Sequence, residues 1–177
     1  RSLLQAHLES FIAAGGEHVL LVLGHSKEVY QAELPWLQDR AKLPQEIKNL
    51  SIDMVINPDP DRGQFSSLSC ALTFLSTETT PNIFISPIDV PPAPVSLWVE
   101  LDEALTQNNF AAVIPTFKQR GGHPFVLAET MVKTLLSADR DSRLDTILKN
   151  TSKVYRLETN YSSITKNING PKDLVDL

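Results

Sequence analysis

Short apolar runs alternate with amphipathic segments along most of the chain, and this alternation limits the fold more than any other feature. Runs such as HVLLVLG, LSIDMVIN and AAVIPTF have the length of buried strands, and the segments between them repeat apolar residues at helical spacing. Alternating strands and helices form βαβ units, which build a mostly parallel sheet with helices on both faces. The sequence therefore predicts a three-layer α/β fold.

One strand pair and three helix starts carry more specific signals. AAVIPTF and PFVLA flank the loop KQRGGH, which predicts an antiparallel excursion from the parallel sheet. Ser26 is the predicted N-cap of a helix that runs to about Leu34, and a serine at the start of SSLSCALTFL is the predicted N-cap of another. The segment GPKDLVDL is expected to open a last helix, with Pro171 at its first position.

Composition narrows the classes of partner. The 177 residues fit one domain over 1–177. The net charge of −5 argues against a nucleic-acid partner, because the negative phosphate backbone binds best to a basic surface. No apolar run is long enough to cross a bilayer, and nothing at the start has the pattern of a signal peptide. Cys70 is the single cysteine, so we expect no internal disulfide and a reducing compartment, the cytoplasm.

The stretch FISPIDVPP, residues 84–92, places a carboxylate after an apolar strand. A core strand needs no charge at its tip, and open α/β sheets bind ligands at the carboxyl ends of their strands. Asp89 is therefore a candidate functional residue at that edge. A turn-forming aspartate before Pro91 explains the same pattern, and the two interpretations are equally supported by the sequence.

Two loops add further candidates. In NPDPDRGQFSSL, Gly63 permits close backbone approach, and the following helix start offers free N–H groups to a phosphate, although capping by Ser66 or Ser67 is the more frequent reason for such residues. In KQRGGHPF, the glycines allow unusual backbone angles and Pro124 holds His123 extended, so that its imidazole has a fixed direction. The alternative for His123 is a surface position in a hairpin loop.

Taken in order, these stretches resemble the MobA-like NTP transferases, most closely the molybdenum cofactor cytidylyltransferase branch. The family pattern of vvlG, N…G…SL, D-x-P, P…GHP and a D-x-D-x-P-x-D-L close is matched here by LLVLG, NPDPDRGQFSSL, PIDVP, PTFKQRGGHPFVL and NINGPKDL. The ordered set spans nearly the whole chain, and RGGHP favours the cytidylyltransferase branch. The resemblance implies a Rossmann-like, GT-A-like nucleotidyltransferase fold.

The resemblance also implies a reaction. Such enzymes transfer a nucleoside monophosphate from a nucleoside triphosphate, here CTP, to a phosphorylated acceptor such as molybdopterin cofactor, with release of pyrophosphate. Asp89 matches the catalytic aspartate that binds Mg²⁺. The nucleotide segment is matched by Asn57, Gly63, Ser66 and Ser67, and the acceptor segment by Gly122 and His123. A molybdoenzyme or a chaperone is the implied protein partner.

The chain departs from the family pattern in two places. The family begins with a strand and a glycine-rich loop carrying Arg and Lys, which residues 1–177 do not contain, so either this part lies upstream of Arg1 or the protein never had it. Asn167 and Asn169 occupy the positions of two family aspartates, which lowers the expected metal affinity. Asp139 and Arg143 align with a family GD-x-G-x-R stretch whose glycines are missing here.

Two alternatives to the cytidylyltransferase interpretation follow from these departures. One is a degenerate relative that binds a nucleotide, a cofactor or a partner protein without turnover. The other is a nucleotidyltransferase of the same fold that acts on a sugar phosphate or an isoprenoid precursor. A glycine-rich loop in the preceding sequence would favour an enzyme over a binding module, and a screen of nucleotides and acceptors would separate the two enzymes.

Overall fold

A computed structural model describes residues 2–75 and 82–174 of the chain. The helices are α1 Leu3–Ala13, α2 Lys27–Glu33, α3 Gln64–Leu75, α4 Val95–Asn108, α5 Glu129–Leu136 and α6 Leu144–Lys149. The strands are β1 His18–Leu23, β2 Ser51–Ile56, β3 Asn82–Ile85, β4 Ala112–Phe117, β5 Arg120–Gly121, β6 Phe125–Ala128 and β7 Val154–Glu158. The α/β architecture predicted from the sequence is confirmed, with mixed sheets.

The described strands form two separate sheets. β1 and β2 pair in parallel as a two-stranded sheet, and the larger sheet has the order β3-β6-β4-β5, with β7 also paired to β4. β7 runs parallel to β4, whereas β6 lies antiparallel to both β3 and β4. The predicted antiparallel excursion is therefore present, and β6 returns into the middle of the larger sheet.

Helices cover both faces of the larger sheet because its residues alternate between two cores. Ala112 and Ile114 of β4 face a core formed with α3 and α5, while Val113 between them faces a core formed with α4. Leu97 and Leu101 of α4 are completely buried in that second core. The run AAVIPTF is continuously apolar because both of its faces are covered.

The smaller sheet is covered on one face by α1 and by short turns that follow α2. Leu8 of α1 joins Trp36, Leu43, Ile47 and Leu50 in a third core, against which Val19 and Leu21 of β1 pack. Phe11 of α1 packs against both this core and the core under α4. α1 therefore bridges the two sheets.

Three local predictions were wrong. β3 ends at Ile85, because Pro87 has no N–H to donate to a neighbouring strand. Asp89 therefore lies in a turn, four residues beyond the strand.

α3 begins at Gln64 after Gly63, and the predicted serine caps lie inside the helix. Ser26 is at the N-cap position of α2 but makes no capping hydrogen bond. Pro171–Leu174 forms a 3₁₀ turn, and the continuation of the predicted last helix lies outside the described residues.

Candidate functional site

A cavity of about 1740 Å³ is lined by residues of both sheets and of the segments that follow β1, β3 and β5. Of the candidate residues from the sequence, Gly63, Ser67, Gly122 and His123 line it. Asn57, Ser66 and Asp89 are not among its lining residues. The loops that carried the sequence motifs therefore meet around one opening, although not every candidate side chain faces it.

Backbone hydrogen bonds hold the Asp89 turn in place on two sides. Its carbonyl accepts a hydrogen bond from the N–H of Ile168 at 2.6 Å, and the carbonyl of the next residue, Val90, accepts one from Nε2 of His7 at 2.9 Å. The Asp89 side chain is exposed and makes no hydrogen bond or ion pair with the residues that the structure describes. A fixed backbone with a free carboxylate suits a ligand-binding residue better than a turn former whose side chain caps its own turn.

His123 lies near Asp89, and the two groups interact electrostatically. Burial lowers the pKa of His123, and the negative charge of Asp89 opposes part of that shift. Its Nδ1 atom is buried and has no hydrogen-bond partner among the described residues, while its ring stands edge-on to Phe125 at 5.5 Å between centroids. Since a buried polar atom without a partner costs free energy, Nδ1 is a candidate for a contact with a ligand or a water molecule.

Gly122 is required by close packing against the segment that follows β7. A Cβ at this position would lie 2.5 Å from the carbonyl oxygen of Ile164 and 2.5 Å from its Cγ1. The N–H of His123 donates to the same carbonyl at 3.0 Å. Because Ile164 and Ile168 belong to one segment, that segment connects the His123 loop to the Asp89 turn.

Asn57 and Ser66 hold the loop before α3 together. The Asn57 amide donates to Oγ of Ser66 at 2.8 Å and to Oγ of Ser67 at 3.0 Å, and its Oδ1 accepts the N–H of Asp59 at 3.0 Å. Ser66 donates in turn to the carbonyl of Gly63 at 2.8 Å. Asn57 is 4% exposed, and its amide is bonded within the loop, so the side chain holds the loop in its conformation. A direct contact of Asn57 or Ser66 with a nucleotide stays a prediction.

Sequence reasoning missed two arginines near this loop. The Arg62 guanidinium donates to the Asp141 carboxylate at 3.1 Å and to the Arg140 carbonyl, and Arg140 pairs with Asp59 at 3.3 Å. Both arginines and Arg143 line the cavity. The only signal in the sequence was a basic residue within the acidic loop NPDPDRG, whose partners lie about 80 residues away along the chain.

The closing segment is bonded to the Asp89 turn through its backbone. Asn167 and Asn169 flank Ile168, whose N–H is bonded to the Asp89 carbonyl. The Asp173 carboxylate accepts the N–H groups of Asn169 at 2.7 Å and Gly170 at 3.1 Å, so Asp173 has a capping role. Asp139 likewise accepts the N–H of Asp141 at 2.8 Å and stabilises its own turn.

The metal-binding role of Asp89 stays a prediction. Among the residues described, no three His, Cys, Asp or Glu side chains form a metal-binding group. Asp89 offers one carboxylate, and Asn167 and Asn169 carry amide oxygens on the adjoining segment. Mg²⁺ accepts such a set, because one or two carboxylates with waters and phosphate oxygens suffice for it.

A family comparison matches most of the chain. The model of the MobA-like NTP transferase domain matches residues 1–154. No curated protein sequence matches the chain. None of the helices within 2–75 and 82–174 is both long and apolar enough to cross a membrane.

Solved structures share the fold at low sequence identity. Rv0371c from Mycobacterium tuberculosis, in a complex with manganese, has a TM-score of 0.67 at 17% identity, over 98% of this chain and 84% of that one. The 4-diphosphocytidyl-2C-methyl-D-erythritol synthase from Anaerococcus prevotii has a TM-score of 0.71 at 14% identity, over 99% and 84%. Molybdopterin-guanine dinucleotide biosynthesis protein A from Archaeoglobus fulgidus has a TM-score of 0.54 at 18% identity, over 88% and 75%.

Proposed function

This chain belongs to the MobA-like NTP transferase family, and we propose that it binds a nucleoside triphosphate and a phosphorylated acceptor at the opening between its two sheets. The proposed reaction transfers a nucleoside monophosphate, with CTP as the donor and a molybdopterin-type cofactor as the acceptor. The observation that carries this proposal is the meeting of the Asp89 turn, the His123 loop and the loop before α3 around one cavity.

The nucleotide phosphates are assigned to the start of α3. Gly63 has a φ of 86°, a backbone angle that favours glycine, and it brings the chain into the helix without a side chain in the way. The free N–H groups of the first helical turn and the positive end of the helix dipole favour an anion there. Arg62 and Arg143 line the same cavity, and a triphosphate would compete for them with their carboxylate partners Asp141 and Asp145.

A divalent metal ion is assigned to Asp89, with Mg²⁺ as the proposed ion. Asp89 would supply the charged ligand and the amide oxygens of Asn167 and Asn169 neutral ones. When bound, the ion neutralises charge on the phosphates and on the leaving pyrophosphate. The manganese complex of Rv0371c supports a divalent ion in a protein of this fold. One carboxylate with two amides predicts weaker metal binding than a site with three carboxylates.

The acceptor is assigned to Gly122 and His123. A phosphate monoester is ionised at neutral pH and needs no general base, so His123 is a positioning group. Because its pKa is lowered, His123 is neutral at pH 7 and can donate or accept one hydrogen bond at Nδ1. His123→Ala is expected to raise the KM for the acceptor and to leave nucleotide affinity unchanged. Loss of nucleotide affinity would contradict the assignment.

A second candidate is a nucleotide-binding protein without turnover. It is favoured by the two asparagines in place of family aspartates. Positioning of the triphosphate contributes much of phosphoryl-transfer catalysis, so residues 1–177 alone are expected to bind nucleotide and to transfer it slowly, if at all. Substantial pyrophosphate release by these residues would show that the family's glycine-rich loop is not needed.

Calorimetric titration of residues 1–177 tests the proposal. CTP, GTP and UTP are titrated in Mg²⁺, in Mn²⁺ and in EDTA. The proposal predicts binding that requires a divalent ion and is tightest for CTP. Equal binding in EDTA, or no binding of any nucleotide in either metal, would contradict it, whereas tighter binding of another nucleotide would contradict only the choice of CTP. A molybdoenzyme or its chaperone is proposed as the protein that receives the product.

A further inference from the structure

The segment of residues 159–168, which follows β7, contacts both halves of the proposed site. The carbonyl of Ile164 accepts the N–H of His123 at 3.0 Å, and the N–H of Ile168 donates to the carbonyl of Asp89 at 2.6 Å. Both contacts join backbone to backbone, so they hold the His123 loop and the Asp89 turn and leave the two side chains free. The mutual position of loop and turn therefore depends on how firmly the 159–168 segment is held.

The beginning of this segment is fixed to the larger sheet. The backbone N–H and the side-chain hydroxyl of Thr159 both donate to the carbonyl of Thr116 in β4, at 2.8 Å and 3.1 Å. Farther along, Ser162–Thr165 forms a 3₁₀ turn, in which the Thr165 hydroxyl donates to the Ser162 carbonyl at 3.1 Å. The bonds at Thr159 hold the start of the segment but not this turn, which contains Ile164.

Tyr161 joins the turn to α4. Its ring packs against the core under α4, and its hydroxyl oxygen lies 3.1 Å from Oε1 of Glu100 and 2.7 Å from Oγ of Ser96, both on that helix. Since an ionised carboxylate has no proton to give, the phenol donates to Glu100 and accepts from Ser96. A hydrogen bond to a charged acceptor is stronger than one between neutral groups, so this contact is the firmest between the turn and α4.

α4 completes a closed circuit of contacts through Tyr161. The chain enters α4 at Val95, six residues after Asp89. From α4 the circuit passes through Glu100 to Tyr161, along the segment to Ile168, and back to the Asp89 carbonyl. The bond to the His123 loop leaves this circuit at Ile164. Removal of the Tyr161 hydroxyl would open the circuit and release both bonds together.

We infer that Tyr161 is a positioning residue of the proposed site: its hydroxyl, held by α4, fixes the 159–168 segment and so sets the His123 loop relative to the Asp89 turn. The inference rests on the proposed function in taking these two places as the acceptor and metal subsites. Tyr161 is not among the residues that line the cavity, so it acts through the backbone and not by contact with a substrate. Group transfer between two bound substrates requires such fixed spacing, because a misplacement of about 1 Å can slow it a hundredfold.

Four variants separate the hydroxyl from its surroundings. Tyr161→Phe removes the hydroxyl and retains the ring. Tyr155→Phe is the matched control, because the Tyr155 ring stacks on Phe110 and its hydroxyl makes no hydrogen bond within residues 2–75 and 82–174. Glu100→Ala removes the acceptor of the phenol, and Glu100→Gln retains an oxygen that can accept it. Glu100→Ala should resemble Tyr161→Phe, Glu100→Gln should change less than Glu100→Ala, and Tyr155→Phe should resemble the unchanged chain.

Residue-resolved hydrogen exchange by NMR on the chain without ligand is the first measurement. The amides of His123 and Ile168 should both exchange about tenfold faster in Tyr161→Phe, the factor for the loss of one hydrogen bond to a charged group. Val113 and Val126, in the middle of the larger sheet, report global stability and should accelerate less. A role in stability alone would accelerate all four amides equally. That result, or a response of only one of His123 and Ile168, would overturn the inference.

Calorimetry with a nucleotide is the second measurement. Each variant is titrated with the Mg²⁺ complex of whichever of CTP, GTP and UTP the unchanged chain binds most tightly. The dissociation constant should rise about threefold in Tyr161→Phe, because the turn that carries Asp89 is less firmly held, and should stay unaltered in Tyr155→Phe. An unaltered constant in Tyr161→Phe would overturn the inference. If the unchanged chain binds no nucleotide, the proposed function fails, and the exchange rates alone decide whether Tyr161 holds the loop and the turn together.

Discussion

β1 and β4 have almost the same apolar character but very different burial. Ala112 and Val113 of β4 are completely buried, whereas in β1 only Leu23 is buried and the residues before it are half-exposed. β4 lies between β6 and β7 and is covered by helices on both faces, while β1 has one neighbouring strand among the described residues. An apolar run therefore shows that a strand can be buried, and the number of its neighbours decides whether it is.

The largest expected effect comes from matched leucines in the two sheets. Leu127→Ala in β6 removes a fully buried side chain, and we expect a loss of about 2–5 kcal/mol in the free energy of unfolding. Leu21→Ala in half-exposed β1 should cost about half as much or less. Urea unfolding of both variants measures the difference. Equal losses would mean that β1 is packed as tightly as the larger sheet.

Alanine substitutions at two glycines are expected to give a smaller difference in stability. Gly122→Ala forces a Cβ against the backbone carbonyl of Ile164, and we expect a loss of about 1–3 kcal/mol. Gly24→Ala, directly after β1, would place a Cβ 2.9 Å from the Cβ of Pro60, which is a side-chain atom and not a backbone carbonyl. We therefore expect a loss below about 1 kcal/mol there. Gly170, which has open space around its Cα, provides a control, and the comparison fails if Gly24→Ala is the more destabilising variant.

The free energy of unfolding should decrease in acid because of two histidines, His7 and His123. Burial lowers the pKa of both His7 and His123, so the folded state binds fewer protons than the unfolded state. Above a pH of about 6.5 both histidines are neutral in either state, and the free energy of unfolding is at its full value. Below that pH the unfolded state takes up protons that the folded state does not, so the free energy of unfolding decreases as the pH falls towards the folded pKa values. The slope is at most about 1.4 kcal/mol per pH unit for each histidine.

His7→Gln checks the source of this acid sensitivity. Glutamine retains an N–H donor for the Val90 carbonyl and carries no titrating group. Denaturation at several pH values between 5 and 7.5 should show a smaller slope in the variant than in the unchanged chain. A slope that His7→Gln leaves unaltered would assign the sensitivity to other groups.

The sequence predicted which segments form strands and helices more accurately than how they pair. The apolar runs of β1, β2 and β4 were identified because burial demands them, and the antiparallel return of β6 because a short glycine loop precedes it. The division into two sheets was not predictable from the chain, since it depends on pairings between distant segments. Asp89 was placed at a strand tip because the effect of Pro87 on β3 was overlooked.

The candidate site was predictable in part. The loops containing Gly63 and His123 were found from their glycines and their position after strands. Arg62 was missed because its partner Asp141 is distant in the sequence. The roles of Asn57 and Ser66 in holding their loop became visible only through their mutual hydrogen bond. Contacts of these residues with nucleotide, metal and acceptor stay predictions.

Calorimetry of Asp89→Asn tests the proposed function most directly. Glu103→Gln, at an exposed position of α4, is the matched control for the loss of one negative charge. If Asp89 binds the metal ion, Asp89→Asn should weaken the Mg²⁺-dependent binding of CTP about tenfold or more, which corresponds to about 1.4 kcal/mol. The melting temperature without ligand should stay unchanged, because the Asp89 carboxylate makes no hydrogen bond or ion pair within residues 2–75 and 82–174. An unaltered dissociation constant for Mg-CTP, or a large fall in the melting temperature, would contradict the assignment of Asp89 as the metal ligand.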